Sequence, residues 1–284
     1  PTGTTYTWTQ PAYTGGVTGG TEQSIPQNKI TGILVIPYGS GTAVYTVTPK
    51  AGLCVGPTFT VTVNVTSTCV NVGIQTDPED TQMCATSGNA SFTVAANGTG
   101  PFVYRWQYKN GVTWINISDG IPSGASYENE TTETLLVSGI GTPGNYEYRC
   151  YITNCSGGYN ATSGVAILTV NALPAPTFTT QPGSSACSGT DVTYTTQAGQ
   201  NNYLWTFSGT SGSDYIITSG GGSSNNSVTL KWLTAGTKTV TINYTNSLGC
   251  QALSATTSIP TSVILSPVVG VSILSNPVGV ICAG

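Results

Sequence analysis

Apolar and polar residues alternate with a period of two along most of this chain. In "PTFTVTVNVT", Phe59, Val61, Val63 and Val65 fall on one side, and Thr60, Thr62, Asn64 and Thr66 on the other. "TAVYTVTP", "ASFTVAA", "PFVYRWQY", "DVTYTT", "NYLWTF", "SVTLKW" and "KTVTINYTN" repeat the pattern between Gly, Pro and Asn turns. Such alternation predicts half-buried strands. No stretch has the 3.6-residue period of a helix. Short strands at roughly 8–12-residue spacing predict β-sandwiches, so the expected fold class is all-β, with tandem sandwiches strung like beads and stapled by disulfides.

The strands recur as units. The two complete units share a Cys before strand B, an aromatic-x-Trp on strand C and a Cys around the F–G turn; the terminal ones show only one end of this order. The expected division is 1–66 (a partial sandwich), 67–171, 172–260, and 261–284 as the opening of a further repeat. "NALPAP" (171–176) reads as a short, stiff linker. Ser262–Leu274 is expected to open that further repeat, because Cys282-Ala-Gly echoes Cys187-Ser-Gly. An alternative has this apolar segment complete the first sandwich of a second molecule by strand addition. Pro267 disfavours a continuous central strand there, and a covalent string is the preferred reading.

Composition narrows the chemistry. Of 284 residues only 6% are charged, and there is no His, against about a quarter charged in ordinary domains. Without His there is no Ser-His-Asp or Cys-His pair and no imidazole zinc site. A net charge of −4 argues against nucleic acid, which needs clustered cations. No run approaches the roughly 20 apolar residues of a membrane helix, and the first residues lack a signal sequence. The chain therefore reads as a mature protein or a fragment, with no cofactor and no catalytic residues expected.

Eight Cys without CxxC knuckles read as disulfides in an oxidising, extracellular setting. Cys187–Cys250 is the expected bridge of the third unit, which holds no other cysteine. In the second unit Cys69, Cys84, Cys150 and Cys155 allow three pairings. Repeat analogy favours Cys84–Cys155 with Cys69–Cys150, while sandwich topology favours Cys69–Cys155. The partner of Cys54 is expected upstream of the chain and that of Cys282 downstream.

Trp106 is expected in the core of strand C, with Tyr148 forming a tyrosine corner on strand F and Trp205 in the core of the third unit. The usual strand B cysteine would fall near Val94, which is valine. Arg105, Gln107 and Lys109 should then point outward beside Glu147, Arg149 and Tyr151. Three of the seven cations would share this face, either as a ligand surface for a glycan or acidic partner or as a cross-strand ladder. Asp77, Glu79 and Asp80 are a weak calcium candidate. Glu128, Glu130 and Glu133 lie in one loop, unlike the opposed carboxylates of a glycosidase. Nine Asn-x-Ser/Thr matches, from Asn64 to Asn243, are expected by chance in so Asn- and Thr-rich a chain.

"YRWQ", "NGVTWINISDG", "YEYRC" and "TSGVAILTV" resemble the immunoglobulin-like repeats of large secreted Bacteroidetes surface proteins. "AVYTVTPKAGLCVGPTFTVTVNV" and "VTYTT…YLWTFSG…VTLKW…VTINYTNSLGC" resemble the PKD-like repeats found beside them. The resemblance, which covers nearly the whole chain, implies a type IX-secreted adhesin of the gliding-motility SprB kind. It further implies adhesion or filament formation at the cell surface. Partners would be neighbouring repeats, with surface glycans or other cell-surface proteins as candidates. The alternative is a carbohydrate-binding array, with Trp8, Tyr13 or Trp114 as a sugar platform.

Overall fold

A computed structural model describes residues 2–267. They form strands throughout, with one 3₁₀ turn at Cys155–Gly157 and no α-helix among the described residues. The chain divides into two compact units, Pro1–Val170 and Asn171–Gly284.

Unit one opens with β1 (Thr5–Trp8), β2 (Ala12–Tyr13), β3 (Thr18–Gly19), β4 (Gln23–Gln27), β5 (Leu34–Val35), β6 (Ser40–Ala51), β7 (Cys54–Val55) and β8 (Phe59–Thr66). The long β6 organises this part. It pairs β1 and β2 along one edge and β8 along the other, while β7 folds back on its end as a hairpin tip. Trp8, Val17, Ala43, Tyr45 and Val47 are buried on one face of the sheet, with Val61, Val63 and Val65 packed beside them. The alternation of "FTVTVNVT" accordingly appears as a burial alternation, although Phe59 at its start is exposed.

The rest of unit one is a complete sandwich. Its strands are β9 (Gly73–Thr76), β10 (Thr81–Cys84), β11 (Asn89–Thr93), β12 (Ala95–Asn97), β13 (Val103–Asn110), β14 (Thr113–Asn116), β15 (Ser126–Glu128), β16 (Thr134–Ser138), β17 (Gly144–Asn154), β18 (Tyr159–Thr162) and β19 (Ala166–Asn171). One face is built from β9-β12 and β11-β16-β15, the other from β10-β19-β17-β13-β14 with β18 on β17. This is the A-B-E-D and A′-G-F-C-C′ order of an immunoglobulin-like fold. The first strand is split between the sheets: β9 joins the first and β10 crosses to the second.

Unit two repeats the plan with β20 (Phe178–Thr180), β21 (Ser185–Cys187), β22 (Asp191–Thr196), β23 (Asn201–Phe207), β24 (Tyr215–Gly220), β25 (Ser227–Trp232), β26 (Gly236–Lys238), β27 (Val240–Thr245), β28 (Thr256–Thr257) and β29 (Thr261–Ile264). One sheet runs β20-β22-β25-β24; the other is made of β21-β29-β26 and β23-β27-β28. Tyr194, Trp205, Leu230, Trp232, Ile242 and Val263 fill the space between them. The indole Nε1 of Trp205 donates to the Asn225 carbonyl at 2.9 Å.

The expected break near Pro260 is corrected here. Thr261–Ile264 does not open a new repeat but is the last strand of unit two. It pairs in parallel with β21 and antiparallel with β26, and it buries Thr261 and Val263. A proline at 260 suits the crossover between β28 and β29, where no ladder donor is needed. The expectations for Val269 to Leu274 and for Cys282 lie outside the described residues.

Low charge is compensated on the outer faces by hydroxyl pairs. Thr93 faces Thr134 at 3.0 Å, Thr193 faces Thr229 at 2.9 Å and Thr14 faces Thr42 at 2.8 Å. Cross-strand Thr pairs stabilise a solvated sheet face by roughly 0.2–1 kcal/mol each, without needing ions.

Candidate functional site

The outward face of β13, β14 and β17 is where the sequence places its cations, and register explains why they meet. Gln107 lies opposite Arg149, Arg105 opposite Tyr151 and Lys109 opposite Trp114. The Lys109 ammonium contacts both Glu147 carboxylate oxygens, at 2.9 and 2.7 Å. Arg149 Nε donates to Gln107 Oε1 at 2.8 Å, and its guanidinium carbon lies 4.3 Å from the Trp114 ring centroid. Gln107 also reaches Asn116. Arg105 stands exposed at the end of the row. Apart from Arg105, the face is thus a ladder whose members satisfy each other. The Lys109–Glu147 side chains are about a third exposed, so this pair is worth under about 1 kcal/mol.

Behind that face lies an aromatic core. Trp106 and Tyr148 are fully buried, and Trp106 Nε1 donates to the Thr132 carbonyl at 2.9 Å. Phe92 packs against both, with centroids at 6.2 and 5.2 Å. The Tyr148 hydroxyl meets that of Tyr127 at 3.1 Å instead of a backbone carbonyl. Burial, and next the neighbouring Tyr127, hold the Tyr148 hydroxyl well above the ordinary tyrosine range. The tyrosine corner expected at Tyr148 is therefore corrected to Tyr146, whose hydroxyl donates to the Thr142 carbonyl four residues upstream at 2.7 Å. The signal was present in "TPGNY", a turn sequence entering the strand.

The cysteines depart most from expectation. Cys69 and Cys155 form a disulfide, with Cα atoms 6.2 Å apart. Asn154 seats the segment beside it by donating to the carbonyls of Val70 and Thr99. This selects the pairing that topology favoured. Cys84 precedes the turn that bonds Ile140, before β17 begins, whereas Cys155 follows the end of β17. Cys84 and Cys250 are each disulfide-bonded, while Cys54, Cys150 and Cys187 are free thiols.

Cys150 occupies the strand F position of the usual inter-sheet bridge, but Phe92 and Val94 occupy strand B. Burial pushes its thiol up to about 12, so it behaves as a small core residue. The expected Cys187–Cys250 bridge does not form. Cys187 pairs with Ile264 beside β26, at the end where β27 starts, and Cys250 caps the turn after β27 ends. Six residues of β27 separate those ends by roughly 16–20 Å, whereas bridged Cα atoms lie within about 7 Å.

The acidic turn has a structural task. Asp77 Oδ1 accepts the Gly164 N–H at 2.6 Å and Asp80 Oδ1 the Ile167 N–H at 2.7 Å. These carboxylates latch the crossover from β9 to β10 onto the approach to β19, while Glu79 is exposed. Among the described residues no group of His, Cys, Asp and Glu is placed to hold a metal. Glu128 ends β15, and Glu130 and Glu133 follow in the loop before β16; all three are exposed. A cluster absent from the sequence reading joins Lys238, Asp214 and Thr234. The Lys238 ammonium contacts Thr234 Oγ1 at 2.7 Å above the Trp232 ring. The Thr234 hydroxyl, and next the Thr210 N–H, hold the Asp214 carboxyl below its ordinary value.

The aromatic residues suggested as a sugar platform are otherwise engaged. Trp8 is buried and its Nε1 donates to the Thr21 carbonyl at 2.8 Å. The Tyr13 hydroxyl lies against the Gly19 carbonyl, and Arg149 covers Trp114. Among the sequons, Asn154 is buried, which closes it to modification in the folded chain. Among the described residues no helix is long and apolar enough to cross a membrane.

The strand order defines the class: tandem immunoglobulin-like β-sandwiches, with a disulfide in the first complete one. No family model and no curated protein matches the chain. Among solved structures it is similar to the I9–I11 tandem of titin (12% identity, 92% of this chain and 88% of that one, TM-score 0.38). It is also similar to immunoglobulin domains 1–4 of Sidekick-1 (14%, 91% and 68%, 0.33) and to extracellular domains 3–5 of Drosophila OTK (11%, 93% and 86%, 0.31).

Proposed function

We propose that this chain is a non-catalytic, load-bearing stalk segment of a secreted bacterial cell-surface adhesin, of the Bacteroidetes gliding-motility type that its repeats resemble. Its partners are neighbouring repeats of the same protein. The observation that carries the reading is the Cys69–Cys155 bridge. Its 86-residue separation takes in most of a sandwich, so tension on the ends cannot draw that sandwich out while the bond is intact. The bridge also suits an oxidising, extracellular site. The self-satisfied C–F face and the hydroxyl-paired outer sheets fit a spacer better than a ligand platform.

A glycan array separates this reading from a carbohydrate-binding array. The expected result is no glycan bound at micromolar concentration, by the chain or by Arg149→Ala, which uncovers Trp114. Micromolar binding by the native chain that disappears on Trp114→Ala would replace the stalk reading with the carbohydrate-binding one.

A further inference from the structure

Two free, exposed thiols sit at opposite kinds of sandwich end. Cys54 lies in the hairpin tip between β6 and β8. Leu53 beside it is 96% exposed, Val55 is exposed too, and a cavity of about 260 Å³ lined by Thr4, Pro49, Lys50, Ala51, Cys54 and Val55 opens there. Cys187 is the last residue of β21, at the other end of its own sandwich, level with Ile264 and next to Leu265, both exposed. Each thiol therefore has exposed apolar side chains beside it on a terminal surface, where a neighbouring repeat would be met.

The same two positions recur elsewhere. Cys84 ends β10 as Cys187 ends β21, and each is followed by a turn whose N–H returns to the cysteine carbonyl: Gly88 to Cys84 and Thr190 to Cys187. Cys250 lies in the turn after β27 as Cys54 lies in the tip after β6. Cys84 and Cys250 are both disulfide-bonded. Both kinds of position thus form disulfides in this fold, although neither cysteine takes part in the Cys69–Cys155 staple.

We infer that Cys187 and Cys54 are the two halves of an end-to-end crosslink. The cysteine closing the split first strand of one sandwich bonds the F–G-tip cysteine of another repeat of this kind. The inference deepens the stalk reading and rests on it, by making the joint between repeats covalent at a second point. The bond forms by exchange with a small-molecule disulfide such as oxidised glutathione. Cys187 thiolate attacks the glutathione disulfide and releases one glutathione. Cys54 thiolate then attacks the mixed disulfide and releases the second, so two thiols lose two protons and two electrons and one disulfide is reduced.

The test uses the whole chain in a Cys282→Ser background, incubated with oxidised glutathione and run without reductant. The expected result is a ladder of multimers abolished by reductant, with a peptide joining Cys187 to Cys54. Cys54→Ser alone and Cys187→Ser alone stay monomeric, whereas mixing the two gives a dimer and nothing larger. Symmetric Cys187–Cys187 or Cys54–Cys54 dimers forming as readily, or no dimer from the mixture, would overturn the inference. Circular dichroism on both variants checks that they are folded. The stalk reading is tested separately by extension under force, so failure of the crosslink and failure of that reading are distinguishable.

Discussion

Replacing Trp106 by alanine is expected to destabilise the second sandwich by about 3–5 kcal/mol, the usual cost of deleting a fully buried Trp. The side chain is 1% exposed. It lies against Phe92 and opposite Cys150 in the register of β13 and β17, so the void opens at the centre of the core. The change also removes the indole donor of the Thr132 carbonyl. Domains are stable by only about 5–15 kcal/mol, so the loss should bring this sandwich near its unfolding limit. Trp106→Phe should cost less, because it keeps a ring against Phe92 while losing the hydrogen bond. Urea denaturation followed by circular dichroism reads both variants. A loss under about 1 kcal/mol for Trp106→Ala would show that Trp106 does not organise the core.

The double change Cys69→Ser, Cys155→Ser should cost about 4–5 kcal/mol. The bridged residues are 86 positions apart, and chain-entropy loss on closing a loop of that size gives this magnitude. Changing both residues avoids leaving a reactive thiol. Cys150→Ala is the control. It removes a buried sulfur but no crosslink, so its cost should be that of a small core truncation and should not respond to reductant. Denaturant midpoints for the three proteins, with and without reductant, separate these cases. Equal stability of the double variant and the native chain under oxidising conditions would mean the staple contributes nothing.

The alternation of Thr and Val made the strands and their inward faces legible, and the Trp of each aromatic-x-Trp pattern, Trp106 and Trp205, is buried. Period two states which way a side chain points, not which end of a sandwich it occupies. That is why Cys187–Cys250 was attractive as the lone pair of its unit, yet failed once β27 was seen to separate them. The same limit applied at Pro260. The echo of Cys187-Ser-Gly in Cys282-Ala-Gly assigns the apolar segment after Pro260 to a further repeat, whereas Thr261–Ile264 is the end of a split last strand that returns to β21 and β26. The cationic face was legible because odd positions of β13 and β17 share a side. Its saturation was not, because Arg149 stacking on Trp114 depends on β14 folding back beside β13. The task of Asp77 and Asp80 was hidden for the same reason: the N–H groups they accept come from residues 87 positions away in each case.

In the proposed stalk, disulfides limit how far its sandwiches can be drawn out. Single-molecule extension of the whole chain, with and without reductant, measures this directly. Every residue held inside a closed bridge is withheld from the extended length. At roughly 3.6 Å per residue, the 86-residue separation between Cys69 and Cys155 accounts for about 310 Å. Opening this bridge should therefore lengthen the fully unfolded chain by up to about that amount when reductant is added, with the force for separating the sandwiches falling as well. The same final length in both conditions would contradict a stapled, load-bearing stalk.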